Sequence, residues 1–163
     1  MRPLSYYTEE ARGTHVAINR RDPQQVSFNM SQIRRAGSLI ERIFYQALCE
    51  FRLRPTVQPK MFGHPDFVFK KYRIVVFCDS HFWHGYRWSV KSAEIKVNKR
   101  FWIDKIQRNI ARDRAVTRKL RSEGWVVLRF WEHRIKSSPL HCAEKVRLAI
   151  EQRKSLSNVL SCN

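Results

Sequence analysis

An apolar run that stops abruptly sets the limits on this fold. Ile74, Val75, Val76, Phe77 and Cys78 are followed at once by Asp79, Ser80 and His81, then by Phe82, Trp83 and His84. Such a run is a buried-type β-strand, which needs other elements packed over it. Just upstream, Pro65 precedes Asp66, Phe67, Val68 and Phe69, a second strand with a carboxylate at its mouth. A strand-edge Asp beside a strand-end Asp/His cluster is the material from which metal-dependent hydrolases build a site. Phe82 and Trp83 form a bulky pair that ought to be hidden, which suggests contact with something that has flat faces.

The chain has 163 residues, enough for one domain with a genuine core. It holds no apolar stretch near the roughly 18 residues that a membrane span requires, and Glu9 and Glu10 interrupt any leader-like apolar segment at the start. Cys49, Cys78, Cys142 and Cys162 are scattered and form no CxxC pair, as expected of reduced thiols in the cytoplasm. Thirty-two Lys and Arg against 14 Asp and Glu leave a net charge of +18. A compact chain under that much self-repulsion calls for a polyanionic partner. No basic amphipathic helix has a spare greasy face for a membrane surface, so nucleic acid is the expected partner.

Residues 1–26 read as an N-terminal arm, 27–154 as a single domain and 155–163 as a tail. Ser38 begins a helix whose Leu39, Ile40, Ile43, Phe44, Ala47, Leu48 and Phe51 share one stripe, and Ser38 with Glu41 spells a capping box. A short extended piece is expected within 54–59, then strands over 66–69 and 73–78 joined by a tight hairpin-like link at 70–72. Residues 85–100 read as a loop rich in cations, among them Lys96, Lys99 and Arg100. A long helix is expected from Phe101 to about Ser122, ending at Gly124, then a strand over 125–131 and a final helix from Pro139 to about Lys154. The order of elements gives an α/β fold, a mixed central sheet flanked by helices.

The long helix carries an anomaly. Its apolar face runs through Ile103, Ile106, Ile110, Thr117 and Leu120, and the intervening place on that face is Asp113. A carboxylate there must be paired or its pKa climbs. It either forms an ion pair with a neighbouring Arg or orients a catalytic imidazole. Asp66 is either an Asx turn entering its strand or a hard-oxygen ligand for a divalent cation. His84 alone would be a packing histidine; near Asp79 at a strand end it is better explained as a general base. Glu41 is fully accounted for by the capping box, yet its acid remains available to a site. Phe82-Trp83 and Phe101-Trp102 could all be core, but both pairs flank the cationic segment, and aromatics interleaved with cations suit stacking on bases or wedging between them.

Taken in order, Asn29-Met30, Glu41, Pro65-Asp66-Phe67-Val68, Phe77 followed by Trp83-His84, Phe101-Trp102, and Lys105-Ile106-x-x-Asn109-x-x-x-Asp113 resemble the very short patch repair endonuclease family, over roughly residues 27 to 133. That resemblance implies a type II restriction endonuclease-like core acting on double-stranded DNA. A bacterial or phage cytoplasmic location is expected, and the oligomeric state, a monomer among the options, stays open. It implies nicking on the thymine strand beside a T:G mismatch with Mg²⁺, for which Mn²⁺ can substitute. A homing or restriction-type endonuclease cutting an intact site, and a non-catalytic DNA-binding module, stay open as alternatives. Asp66 and the backbone carbonyl of Cys78 would hold the metal; His84, paired to Asp113, would activate water; Glu41 would be the acid on the first helix. Phe82, Trp83 and Trp102, beside Phe101, would wedge into the base stack from the major groove, and Met30, next to Asn29, from the minor groove. Two departures stand out. Asp79 occupies a position where the family's well-studied members carry a second histidine, so a second carboxylate could share the metal. The family's structural zinc positions read His81, Tyr86, Trp88 and His133 here, an incomplete ligand set; no structural zinc is expected.

Overall fold

The computed structural model describes residues 38–160, with side chains through residue 156. The expected arm at 1–26, and Asn29 and Met30 with it, lie outside the described residues.

The first helix, α1 (Leu39–Glu50), starts as its sequence dictates: the Ser38 side chain accepts from the Glu41 N–H while the Glu41 carboxylate accepts from the Ser38 N–H. Its Ile40, Phe44, Ala47 and Leu48 are buried. Three strands follow, β1 (Thr56–Val57), β2 (Phe67–Phe69) and β3 (Ile74–Asp79), and later β4 (Val126–Trp131). The sheet order is β1-β2-β3-β4, with the first two pairings antiparallel and β3–β4 parallel. This is the expected mixed sheet. The link between β2 and β3 is a 3₁₀ turn over Lys70–Tyr72 that closes with Arg73 at φ 53°, ψ 49°, not a plain hairpin turn.

Alternation along β3 splits the core in two. Ile74, Val76 and Cys78 pack with α1 and with the last helices, α4 (Glu132–Ser137) and α5 (Pro139–Leu160). Val75 and Phe77 face the other way, toward Val116 and Leu120 of α3 (Lys99–Ser122). Asp79, two residues beyond Phe77, therefore points to the α3 side, as does Arg129, two residues beyond Val127 of β4.

Four expectations change. Residues 85–100 are not one loop, because α2 (Trp88–Glu94) lies within them. It buries none of its residues, so no apolar periodicity announced it. The long helix begins at Lys99, two residues early. The short α4 has a single buried residue, Ile135, too little for a periodic signal. Finally, α5 continues to Leu160, beyond the boundary at Lys154. No helix among the described residues is long and apolar enough to cross a membrane.

Candidate active site

The carboxyl ends of β3 and β4, the mouth of β2 and the middle of α3 meet at one place. Asp66 is fixed from both sides: its N–H donates to Val76 O (3.0 Å), and its own carbonyl accepts from the Gln58 N–H (2.8 Å). Its side-chain Oδ2 accepts the Cys78 backbone N–H at 2.6 Å, which locks the carboxylate against the end of β3. Burial raises the Asp66 carboxyl most, the Cys78 N–H opposes it, and the nearby charges of Glu41 and Asp79 raise it again, so that it is pushed from 3.8 up to about 7. Glu41 is held through Oε1 by Ser38 and through Oε2 by Gln58 Nε2 (2.8 Å).

His84 follows the strand end on a turn whose Gly85 has φ +68°. A Cβ at Gly85 would stand 2.4 Å from Ile110 Cδ1, so glycine permits both the left-handed backbone and the close approach to α3. The approach brings His84 Nδ1 to 2.6 Å from Asp113 Oδ2, across the helix face on which Asp113 broke the apolar pattern. Burial raises the Asp113 carboxyl, but the His84 hydrogen bond and the charges of His84, Arg129 and Arg112 outweigh it and hold the group below its ordinary value.

Asp79 is 4% exposed, and both its oxygens are engaged by one partner that the sequence reading missed. Arg129 Nε donates to Oδ2 and Nη2 to Oδ1, each at 2.7 Å. Arg129 Nη2 also stands 3.6 Å from Asp113 Oδ2. The available signal was Arg129 itself, a cation inside the apolar run of β4. His84 Nδ1 lies 3.5 Å from Asp79 Oδ1, farther than from Asp113.

Among the described residues no three His, Cys, Asp or Glu side chains form a ready-made metal cage. Magnesium does not require one: it keeps several waters and takes one or two carboxylates together with substrate phosphates. An oxygen donor at Asp66, with acids around it that make its charge costly, fits such an ion.

Beside this acidic corner, Phe82, Trp83 and Trp102 pack edge to face, with ring centroids 5.1 to 5.8 Å apart, and Phe101 continues the group at 5.1 Å from Trp102. Phe82 and Phe101 remain about half exposed. Lys105 Nζ lies over Trp83, Phe101 and Trp102 at 5.1 to 5.5 Å, and Asn109 Nδ2 donates to the Trp83 carbonyl (3.2 Å). Thus the two aromatic pairs do come together. Lys96, Lys99 and Arg100 are exposed where α3 begins, cations at a helix end whose dipole disfavours them.

His81 and His133 meet each other, Nε2 to Nδ1 at 2.7 Å, and the Tyr86 ring lies 4.5 and 4.8 Å from theirs.

The sequence profile described as DNA mismatch endonuclease Vsr matches residues 19–90. The type II nicking enzyme V.NmeDIP of Neisseria meningitidis serogroup C is 43% identical over 141 residues, covering 86% of this chain and 95% of that protein. The type II nicking enzyme V.HpaIIP of Haemophilus parainfluenzae is 43% identical over 93 residues, 57% of this chain and 66% of its own. The DNA mismatch endonuclease Vsr of Escherichia coli (strain K12) is 34% identical over 113 residues, 65% and 68% of the two chains. With an acid, an imidazole–carboxylate pair and an aromatic cluster gathered at one sheet edge, and with these relatives, the chain belongs to the Vsr family and is a DNA endonuclease.

Proposed function

We propose that the enzyme is Mg²⁺-dependent and nicks one strand of duplex DNA at a T:G mismatch in a short sequence, on a type II restriction endonuclease-like core. The observation that carries this reading is the juxtaposition of Asp66, the His84–Asp113 pair and the Phe82/Trp83/Trp102 cluster at one corner. The names of the relatives support it, since they describe mismatch endonucleases and nicking enzymes.

Magnesium, held by Asp66 and the backbone carbonyl of Cys78 with Glu41 nearby, would supply positive charge to the scissile phosphate and the departing oxygen. The chain's own residues do the rest. His84 donates its Nδ1–H to Asp113, which leaves the Nε2 lone pair to take a proton from the attacking water. Asp113 stays ionised because its carboxyl is held low, so it stabilises the imidazolium as that forms. The exposed aromatic rings enter the base stack, which costs least where pairing is already poor.

A panel of duplexes carrying every mismatch and a fully paired control, incubated with Mg²⁺ or with chelator and scored for nicks and double-strand breaks, tests the reading. Nicking confined to the T:G duplex and to Mg²⁺ is expected. Cutting of the fully paired duplex on both strands, as fast as any mismatch, refutes mismatch specificity. Undiminished cleavage in chelator refutes the metal.

A further inference from the structure

Arg129 is held from several directions. Phe77, its register partner on β3, lies under the guanidinium at 4.6 Å, and Nη1 donates to Thr117 Oγ1 at 3.4 Å. Nε and Nη2 grip Asp79 through two parallel hydrogen bonds, the geometry with the greatest directional strength for an Arg–carboxylate pair. What this grip decides is visible around His84. Two carboxylates stand within reach of Nδ1, Asp113 at 2.6 Å and Asp79 at 3.5 Å, and Asp79 immediately follows Cys78. An unpaired Asp79 would be a rival for the imidazole and a second anionic donor for a cation. Paired on both oxygens, it presents a neutral face to either.

We propose that Arg129 is a positioning residue that withholds Asp79 from the metal and from His84, so that Asp66 is the side chain that takes the cation and Asp113 the one that orients the imidazole. This rests on the roles of Asp66, His84 and Asp113 proposed above. It replaces the expectation that Asp79 is itself a ligand or a catalytic acid.

The test titrates Mn²⁺ into the folded protein, followed by electron paramagnetic resonance or calorimetry, and measures the nicking kcat and KM on the same variants. Asp79→Asn removes a carboxylate that is not a ligand, so its Mn²⁺ affinity should equal that of the wild type within about twofold. Arg129→Met releases Asp79. Mn²⁺ binding should then tighten about tenfold, because affinity at oxygen sites follows the number of charged ligands. Its kcat should fall about 10- to 100-fold, the usual effect of disturbing a group behind the reacting one, while KM stays within a few-fold. In Asp79→Asn/Arg129→Met the Mn²⁺ affinity should return to the wild-type value.

A purely structural Arg129 lowers the melting temperature without tightening Mn²⁺ binding, and that result overturns the proposal. So does weakened Mn²⁺ binding in Asp79→Asn, which makes Asp79 a ligand already. Arg129→Met leaves a buried carboxylate unpaired and risks misfolding. In that event Arg129→Lys, which offers a point charge in place of the fork, should show the same tightening in smaller measure, and unchanged affinity there overturns the idea. Asp66→Ala separates the two levels: if it binds Mn²⁺ like the wild type, the metal assignment fails rather than the role of Arg129.

Discussion

Asp66→Asn should stabilise this protein while disabling it, and the gain should depend on pH in a set direction. The Asp66 carboxyl is pushed from 3.8 to about 7 in the folded state. For an acid whose folded value is raised, the folded chain retains a proton that the unfolded chain releases. Stability therefore falls as pH rises from about 4, and the loss is complete above about 7. A displacement of that size corresponds to about 4 kcal/mol, and because Asp66 keeps part of its surface in water solvent screening reduces the realised cost to roughly 2 kcal/mol. Asparagine removes the charge, and its amide oxygen can still accept the Cys78 N–H that Asp66 accepts at 2.6 Å.

In chelator at pH 8 the variant should melt about 4–8 °C above the wild type, from the usual 2–4 °C per kcal/mol in a chain of this size. At pH 4 the difference should vanish. Added Mg²⁺ should raise the wild-type melting temperature at pH 8, since a ligand of the folded state stabilises it, and leave the variant unmoved. Thermal melts by circular dichroism across this pH range are sufficient. A variant that melts at or below the wild type at pH 8, or one whose advantage is the same at pH 4, refutes the reasoning.

His84→Ala should lower the nicking kcat by about 10²–10⁴-fold, the range for a lost general base, with duplex affinity by gel shift within a few-fold; near wild-type turnover would remove His84 from the chemistry. Trp83→Ala should reduce the preference for a mismatched over a matched duplex more than it reduces matched-DNA binding, measured by competition titration, and equal losses on both would argue against a wedge. Affinity should fall by roughly 10³–10⁵ between about 50 and 200 mM salt if six to ten phosphates are contacted; a flat response would assign the +18 charge to something other than DNA. Purified protein should carry no stoichiometric zinc by elemental analysis and should stay folded in chelator, because His81 and His133 bond to each other and a tetrahedral site needs four ligands; one tightly held zinc per chain would contradict this.

What the sequence made legible was whatever depends on local pattern. The strands at 67–69, 74–79 and 126–131 are apolar runs bounded by polar residues, the start of α1 is written in Ser38 and Glu41, and Asp113 showed itself by breaking the stripe of α3. Burial of a charge among apolar residues is a local anomaly, and it marked Asp113 as a group needing a partner; that the partner is His84 was implied by the family resemblance. Arg129 is the mirror image of Asp113, a cation inside an apolar strand, and its partner Asp79 lies 50 residues away. Either residue alone has a bland account, Arg129 as a basic residue in a basic chain and Asp79 as a strand-end acid. The parallel register of β3 on β4 makes them a pair, and no periodicity reports a register between strands joined by a long crossover. Helix α2 escaped for the opposite reason: it buries nothing, so no burial pattern marked it.

The charge distribution links these residues to the substrate. A chain with 32 cations and only 14 acids places Glu41, Asp66, Asp79 and Asp113 around one sheet edge, where they would repel the phosphate that the rest of the surface attracts. Arg129 neutralises one of them permanently and lies 3.6 Å from a second, Asp113, which is committed to His84. Asp66 and Glu41 bond to neutral groups, the Cys78 N–H and the Ser38 and Gln58 side chains, and burial first, then the charges of Glu41 and Asp79, raise the Asp66 carboxyl. On the proposed reading a divalent cation arriving with DNA would answer the Asp66 charge, with phosphate oxygens supplying the donors that the protein does not. On this account metal and substrate strengthen each other's binding. Reciprocity requires equal factors in both directions: the factor by which Mg²⁺ tightens duplex binding must equal that by which the duplex tightens Mg²⁺ binding, and both should collapse to about one in Asp66→Asn.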